Sequence, residues 1–275
     1  MENRSRLELA NDNAAAFWLA QARVHGWETL VRPGFTAVRC DRDAADVHRV
    51  VVTRPYDEPE ALERELVQVF RDWGTTRLCL EDPYGKLDLT RYHCEAGLGL
   101  PVMVREPHAE AQPLRAAPPA GLRVDEAVDA DAFAEVERAV VDGFPIPPRQ
   151  PWRRGEFLTP ALLDQPGYRA WLATVDGDTA GACMTYDDGT AVGVYWVATL
   201  PVHRSKGVAR AVVDAALAAA EGKPATLVAT LLGEPLYKRL GFTEQGVTRW
   251  WRLPGLSPDV PLLLPEADTA AEAEA

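Results

Sequence analysis

Val194-Tyr-Trp-Val-Ala-Thr-Leu-Pro-Val-His-Arg-Ser-Lys-Gly-Val-Ala209 is the stretch whose reading decides the fold. It begins inside a nearly unbroken apolar run, Ala191–Thr199, as expected of a strand buried in the middle of a sheet. It ends at the start of a helix expected over Ser205–Glu221, where Val208, Val212, Val213, Ala216 and Leu217 share one face. Between them lies Arg204-Ser-Lys-Gly-Val-Ala209, the pattern R-x-x-G-x-A. A strand running through such a loop into a helix makes an anion cradle. Gly207 lets the backbone approach a ligand closely. The first N–H groups of the helix have no intrahelical partner and carry partial positive charge. Arg204, Lys206 and Arg210 add cationic side chains, and the small Ala209 leaves the backbone accessible. An ordinary strand-to-helix turn with a glycine for geometry would read the same way, so the loop alone does not decide.

The second element follows directly: Leu227-Val-Ala-Thr-Leu-Leu-Gly-Glu-Pro-Leu-Tyr-Lys-Arg-Leu-Gly-Phe242. A strand over Ala225–Thr230 leads to a short helix over Glu234–Leu240, stopped by Gly241. With both motifs in this order, the chain over roughly residues 121–253 resembles the Gcn5-related N-acetyltransferase (GNAT) superfamily. The resemblance implies an α/β fold of mixed α+β type, with a central mixed sheet flanked by helices. It implies an N-acyltransferase that moves an acetyl or other short acyl group from acyl-CoA to a primary amine by direct attack. The backbone of Val197, Ala198 and Thr199 would pair with the pantetheine arm. The backbone N–H groups of Arg204, Ser205, Lys206, Gly207, Val208 and Ala209 would hold the pyrophosphate. Tyr237 matches the tyrosine that protonates the departing thiolate. Thr230 stands where many members have Ser or Asn near the cofactor.

The chemistry is consistent with those roles. A phenol beside the sulfur can supply the proton that the thiolate needs. Backbone N–H groups can polarise the thioester carbonyl. Direct attack needs no nucleophilic side chain, so the absence of a Ser-His-Asp or Cys-His pattern is no obstacle. Tyr237 also reads as a packing residue at the end of a short helix. The sequence departs from the family at the general base. Many members place a Glu on the fourth strand, and Ala191–Thr199 contains no acid. Asp187 and Asp188 lie just upstream, in an expected turn, and a water relay or an already neutral amine could serve instead. The stretch Phe144–Trp152 corresponds to the family's acceptor-covering loop.

Working outward, Gly121–Val128 reads as a strand and Asp129–Val141 as a helix capped by Asp129. Arg169–Val175 and Thr179–Tyr186 read as a hairpin around Asp176-Gly-Asp178. Two closing strands are expected at Phe242–Val247 and Thr248–Leu253, with Trp250 and Trp251 packed in the core or one of them lining the acceptor pocket. The N-terminal half repeats part of this order: a helix over Asn13–His25, strands at Phe35–Cys40 and Val47–Thr53, a helix over Glu58–Trp73, and strands at Arg77–Leu80 and Pro101–Val104. It lacks a phosphate loop, since Arg54-Pro-Tyr-Asp-Glu-Pro-Glu60 has no glycine and three acids that repel an anion. Two readings stay open for it: a degenerate GNAT-like domain in tandem with the active one, or an accessory α/β domain. It would complete the sheet, shape the acceptor cleft or support assembly. Four units result: 1–106, a Pro/Ala linker at 107–120, a catalytic domain at 121–255, and a segment at 256–275 ending in a disordered acidic tail.

The net charge of −12 argues against a nucleic-acid partner and tilts toward a cationic acceptor. Candidate acceptors are a small-molecule or peptide amine. No apolar run suits a membrane span, and the first residues do not resemble a secretion signal. The four cysteines (40, 79, 94 and 183) form no C-x-x-C pair and read as free thiols of a cytoplasmic protein. No metal site is expected, and a sheet-edge homodimer fits the family. The competing function is a non-catalytic acyl-CoA-binding sensor or partner module, motivated by the missing base.

Overall fold

The computed structural model describes residues 4–40, 48–74, 79–112, 118–144, 146, 149–220 and 222–252. The chain opens with α1 (Arg6–His25), which starts a full two turns before the expected Asn13. Its early start comes from a capping box. Glu8 N donates to Ser5 Oγ at 3.1 Å, and Ser5 N donates to Glu8 Oε2 at 2.8 Å. Gly26, at φ 67°, closes the helix in the left-handed conformation. Strands β1 (Glu28–Val31), β2 (Phe35–Arg39) and β3 (Arg49–Val52) follow, then α2 (Pro59–Asp72), β4 (Cys79–Asp82) and β5 (Glu95–Arg105). The second half holds β6 (Leu122–Glu126), α3 (Ala130–Gly143), β7 (Tyr168–Val175), β8 (Asp178–Asp187), β9 (Val192–Thr199), α4 (Val208–Ala218), β10 (Ala225–Val228), α5 (Glu234–Arg239) and β11 (Thr243–Arg252).

The local signals behave as their chemistry requires. Asp129 caps α3 by accepting from Asp131 N at 3.0 Å and Ala132 N at 2.8 Å. Asp176 and Gly177 are both left-handed, at φ 52° and 93°, which makes the tight turn between β7 and β8. Several expected boundaries move. The two closing strands are a single strand, β11, whose register slips at Glu244/Gly246 and again at Arg249/Trp251. The expected strand at Arg77–Leu80 lies at Cys79–Asp82, with residues 77 and 78 outside the described residues. Strand β1, largely exposed and without alternation, carries no signal that would have found it. The tail at 256–275 lies outside the described residues.

All eleven strands join one mixed sheet in the order β1-β2-β3-β4-β11-β5-β10-β9-β8-β7-β6. The two parallel pairs are β3–β4 and β9–β10, each bridged by one helix, α2 and α4. The two halves thus repeat one pattern, hairpin strands leading into a strand–helix–strand crossover. They also exchange strands at the centre. β5 of the first half lies between β10 and β11, and β11 of the second half lies between β4 and β5.

α1 strengthens that interlock by packing on the second half. The Phe17 ring stacks on Tyr195 at 3.8 Å and on Tyr168 at 6.0 Å. Asn13, fully buried, donates from Nδ2 to Tyr186 O at 3.1 Å, Asp188 Oδ2 at 3.0 Å and Ala191 O at 3.1 Å. Its Oδ1 accepts from Tyr195 Oη at 2.6 Å. A Cβ on Gly193 would overlap Asn13 Oδ1 and the Tyr195 ring, so this approach needs glycine. A second core lies under α2, where Phe35, Val50, Leu66, Phe70, Leu80 and Trp251 are buried together. Each such side chain contributes ~2 kcal/mol by leaving water.

Candidate active site

The site begins where β9 and β10 part. They pair only at Val192↔Ala225 and Gly193↔Thr226. β10 ends at Val228, while β9 continues to Thr199 along β8 alone. A bulge sharpens the divergence: Met184 faces Tyr195 and Ala182 faces Ala198, so Cys183 opposes both Trp196 and Val197. Trp196 sits at φ 52°, a strained value for a bulky residue. Its ring is held edge-on by Phe144 at 5.9 Å and Phe157 at 5.2 Å.

The gap between the strands is the mouth of a cavity of about 1160 Å³. Every residue singled out from the sequence borders it: Val197, Ala198 and Thr199 on β9, the loop from Arg204 to Ala209, and Thr230 and Tyr237 beyond β10. The loop is a true N–H cradle. Ser205 (φ 60°) and Gly207 (φ 86°) turn left-handed, and α4 starts at Val208 rather than at the expected Ser205. The first helical bond runs from Ala211 N to Gly207 O at 3.0 Å. Among the described residues, the N–H groups of Ser205 to Ala209 donate to no protein acceptor. The cationic side chains divide their work. Arg204 ties the cradle to the sheet, donating to Gly143 O at 3.0 Å and Thr199 O at 3.3 Å. Arg210 pairs with Asp214 at 3.2 Å. Lys206 is exposed and makes no ion pair among the described residues.

Tyr237 is buried at the cavity wall, its ring edge-on to Phe242 at 5.8 Å. A Cβ on Gly233 would lie 2.9 Å from the Tyr237 ring, so the glycine makes room for it. Among the described residues nothing hydrogen-bonds its hydroxyl. Burial, and then the neighbouring Cys183, push its pKa up, which keeps the phenol protonated. Thr230 Oγ1 accepts from Gly233 N at 3.1 Å and so also shapes the start of α5. Asp187 and Asp188 are occupied structurally. Asp187 pairs with Lys223, and Asp188 accepts from Thr190 N at 2.7 Å and Ala191 N at 2.9 Å.

The far end of the cavity is built by the first half, through residues that the sequence did not single out. Trp18 on α1, Arg49 on β3, Glu81 on β4 and Trp250 on β11 border it. The Arg49 guanidinium lies 4.4 Å from the Trp18 ring centre and 5.2 Å from that of Trp250. Its Nη1 donates to Glu81 Oε1 at 3.1 Å and to Cys79 Sγ at 2.8 Å. All four cysteines are buried free thiols. Among the described residues no group of side chains suits a metal ion, and no helix is long and apolar enough to cross a membrane.

Residues 166–244, which span the splayed strands, the cradle and Tyr237, match the family model of an acetyltransferase (GNAT) domain. Among solved structures, a GCN5-related N-acetyltransferase from Kribbella flavida is 19% identical with a TM-score of 0.63, covering 88% of this chain and 96% of its own. A conserved protein of unknown function from Staphylococcus epidermidis is 12% identical with a TM-score of 0.62, over 84% of this chain and 96% of its own. A GCN5-related N-acetyltransferase from Sphaerobacter thermophilus is 19% identical with a TM-score of 0.57, over 80% and 76%. At these identities the likeness is one of fold. No curated protein matches in sequence. The family match thus falls on the cradle and the splay, within a fold that this chain shares with GCN5-related N-acetyltransferases along most of its length.

Proposed function

We propose that the protein transfers an acetyl group, or another short acyl group, from its CoA thioester to a primary amine by direct attack. One observation carries this: a single cavity joins the unbonded N–H cradle at Ser205–Ala209, the free edge of β9 and the Tyr237 hydroxyl. The cradle suits a pyrophosphate, since successive N–H groups and a helix N-terminus converge on one point. The edge of β9 at Val197, Ala198 and Thr199 suits the amides of pantetheine. Bound acyl-CoA supplies an activated acyl carbon. Tyr237, held neutral by burial, gives its proton to the sulfur as the carbon–sulfur bond breaks. The aromatic walls at Trp18, Trp196 and Trp250 exclude water, which protects the thioester from hydrolysis.

Calorimetric titration of acetyl-CoA into wild type and Gly207→Glu tests the cofactor site. A Cβ at Gly207 meets no heavy atom within 4 Å, so the side chain has space. Its left-handed backbone costs a non-glycine residue ~1 kcal/mol, which a folded protein of this size tolerates. The expected result is binding by wild type and none by the folded variant. Thiol release with a panel of primary amines then tests transfer. Binding without thiol release would make the protein an acyl-CoA sensor, and no binding would refute the proposal.

A further inference from the structure

We propose that Glu81, on β4 of the first half, is the general base that takes the proton of the attacking amine, so that each half supplies one of the two proton-transfer groups. This rests on the acyl-transfer function proposed above and fills its missing part, since β9 carries no acid.

The geometry points to Glu81 in three ways. It borders the same cavity as Tyr237 and the free edge of β9. It also lines a small pocket together with Tyr195 of β9. A carboxylate borne by β4 thereby shares that pocket with a β9 side chain, although β11, β5 and β10 lie between the two strands. Finally, its bonding is one-sided. Oε1 accepts from Arg49 Nη1 at 3.1 Å, and among the described residues Oε2 accepts nothing. A buried carboxylate with one oxygen held and the other open to a cavity is set to receive a proton.

The surroundings tune it. Burial raises the Glu81 pKa and the Arg49 guanidinium lowers it, with burial the larger effect. The charged and titratable groups facing it are Arg49 from β3 and Tyr195 from β9, while α1 and β11 bring the neutral Trp18 and Trp250 to the same end of the cavity. A raised pKa makes the carboxylate a stronger base. Arg49, fixed between two indoles, opposes that rise.

The step balances. A bond forms between the amine nitrogen and the acyl carbon, and the carbon–sulfur bond breaks. The proton leaving nitrogen goes to Glu81 Oε2. The sulfur takes the proton of Tyr237, and both groups return to their starting states by exchange with water.

The test compares wild type with Glu81→Gln, using the panel amine that wild type acetylates fastest. kcat is expected to fall ~10²-fold or more, with the acetyl-CoA Kd from calorimetry unchanged. In wild type, kcat should fall as pH drops through the raised carboxylate pKa, and that acidic limb should vanish in Glu81→Gln. If Glu81→Gln does not fold, Glu81→Asp replaces it. That variant keeps a charge beside Arg49 but withdraws the oxygen by about one bond length, and kcat should fall at least ~10-fold at unchanged Kd. Full activity in a folded variant, or an unaltered acidic limb, overturns the assignment while leaving acyl transfer intact. Absence of turnover in wild type overturns acyl transfer itself, and this assignment with it.

Discussion

Asn13 is the bolt between the two halves, and its removal has a cost that the structure sets. In Asn13→Ala, Tyr186 O and Ala191 O each lose a donor but keep a second lone pair, and the part-exposed Asp188 can turn to water. The Tyr195 hydroxyl, part-buried at the cavity wall, loses its one bond, which runs 2.6 Å to Asn13. Leaving that donor without a partner costs ~2 kcal/mol, and the lost carbonyl bonds add ~1 kcal/mol. The sum of ~3 kcal/mol corresponds to a fall in Tm of ~6–12 °C for a chain of this size. Urea unfolding at 25 °C, followed by tryptophan fluorescence, measures it. Tyr195→Phe alone removes the hydroxyl with its bond and should cost ~1 kcal/mol. The double variant should then cost less than the sum of the two, because the orphan is gone. Asn13→Asp should be worse than Asn13→Ala at pH 7, since the new carboxylate would face Asp188 Oδ2 and two carbonyls. An Asn13→Ala protein within ~0.5 kcal/mol of wild type, or strict additivity in the double variant, would refute this account.

Two further outcomes are expected. Tyr237→Phe should lower kcat ~10²-fold while leaving the acetyl-CoA Kd unchanged; a change confined to Kd would mark Tyr237 as a packing residue. His48 is held below its usual pKa by burial first and then by Arg39, and its Nδ1 accepts from Cys40 N at 2.9 Å. The unfolded chain therefore binds a proton more readily than the folded one. This contribution is complete above the ordinary histidine pKa of about 6.5 and is lost as pH falls below it. Urea midpoints at pH 7.5 and 5.5 should differ less in His48→Asn than in wild type, and an equal difference would exclude His48 as a source.

The N–H cradle was legible in the sequence because its determinants are local. A cradle made of consecutive N–H groups needs only a strand, a glycine and a helix start, and Arg204 to Ala209 supply them. Tyr237 stands out only through the motif that resembles the family's. What misled was detail that tertiary contacts decide. The helix expected from Ser205 starts only at Val208, because Ser205 and Gly207 are left-handed. The two strands expected on either side of Val247/Thr248 are one, since pairing with β5 runs through both residues.

The Arg49–Glu81 end of the cavity was not legible, and the reason is topological. Both residues sit on short buried strands that carry no motif of their own. Only the sheet order gives them a role. By inserting β5 between β10 and β11 and β11 between β4 and β5, the fold carries β3 and β4 to the far wall of the second half's cavity. On the proposed function, the same exchange accounts for the lack of an acid on β9. Trp196 is turned at the β9 bulge, and Tyr195 is committed to Asn13 and Phe17, so neither side chain offers a base. A carboxylate delivered from β4, four strands away in the sheet, need not compete with a pantetheine for β9. If Glu81 is the base as proposed, the first half is part of the active site rather than a scaffold beside it, and substitutions at its core strands should change acceptor chemistry while leaving acetyl-CoA binding intact.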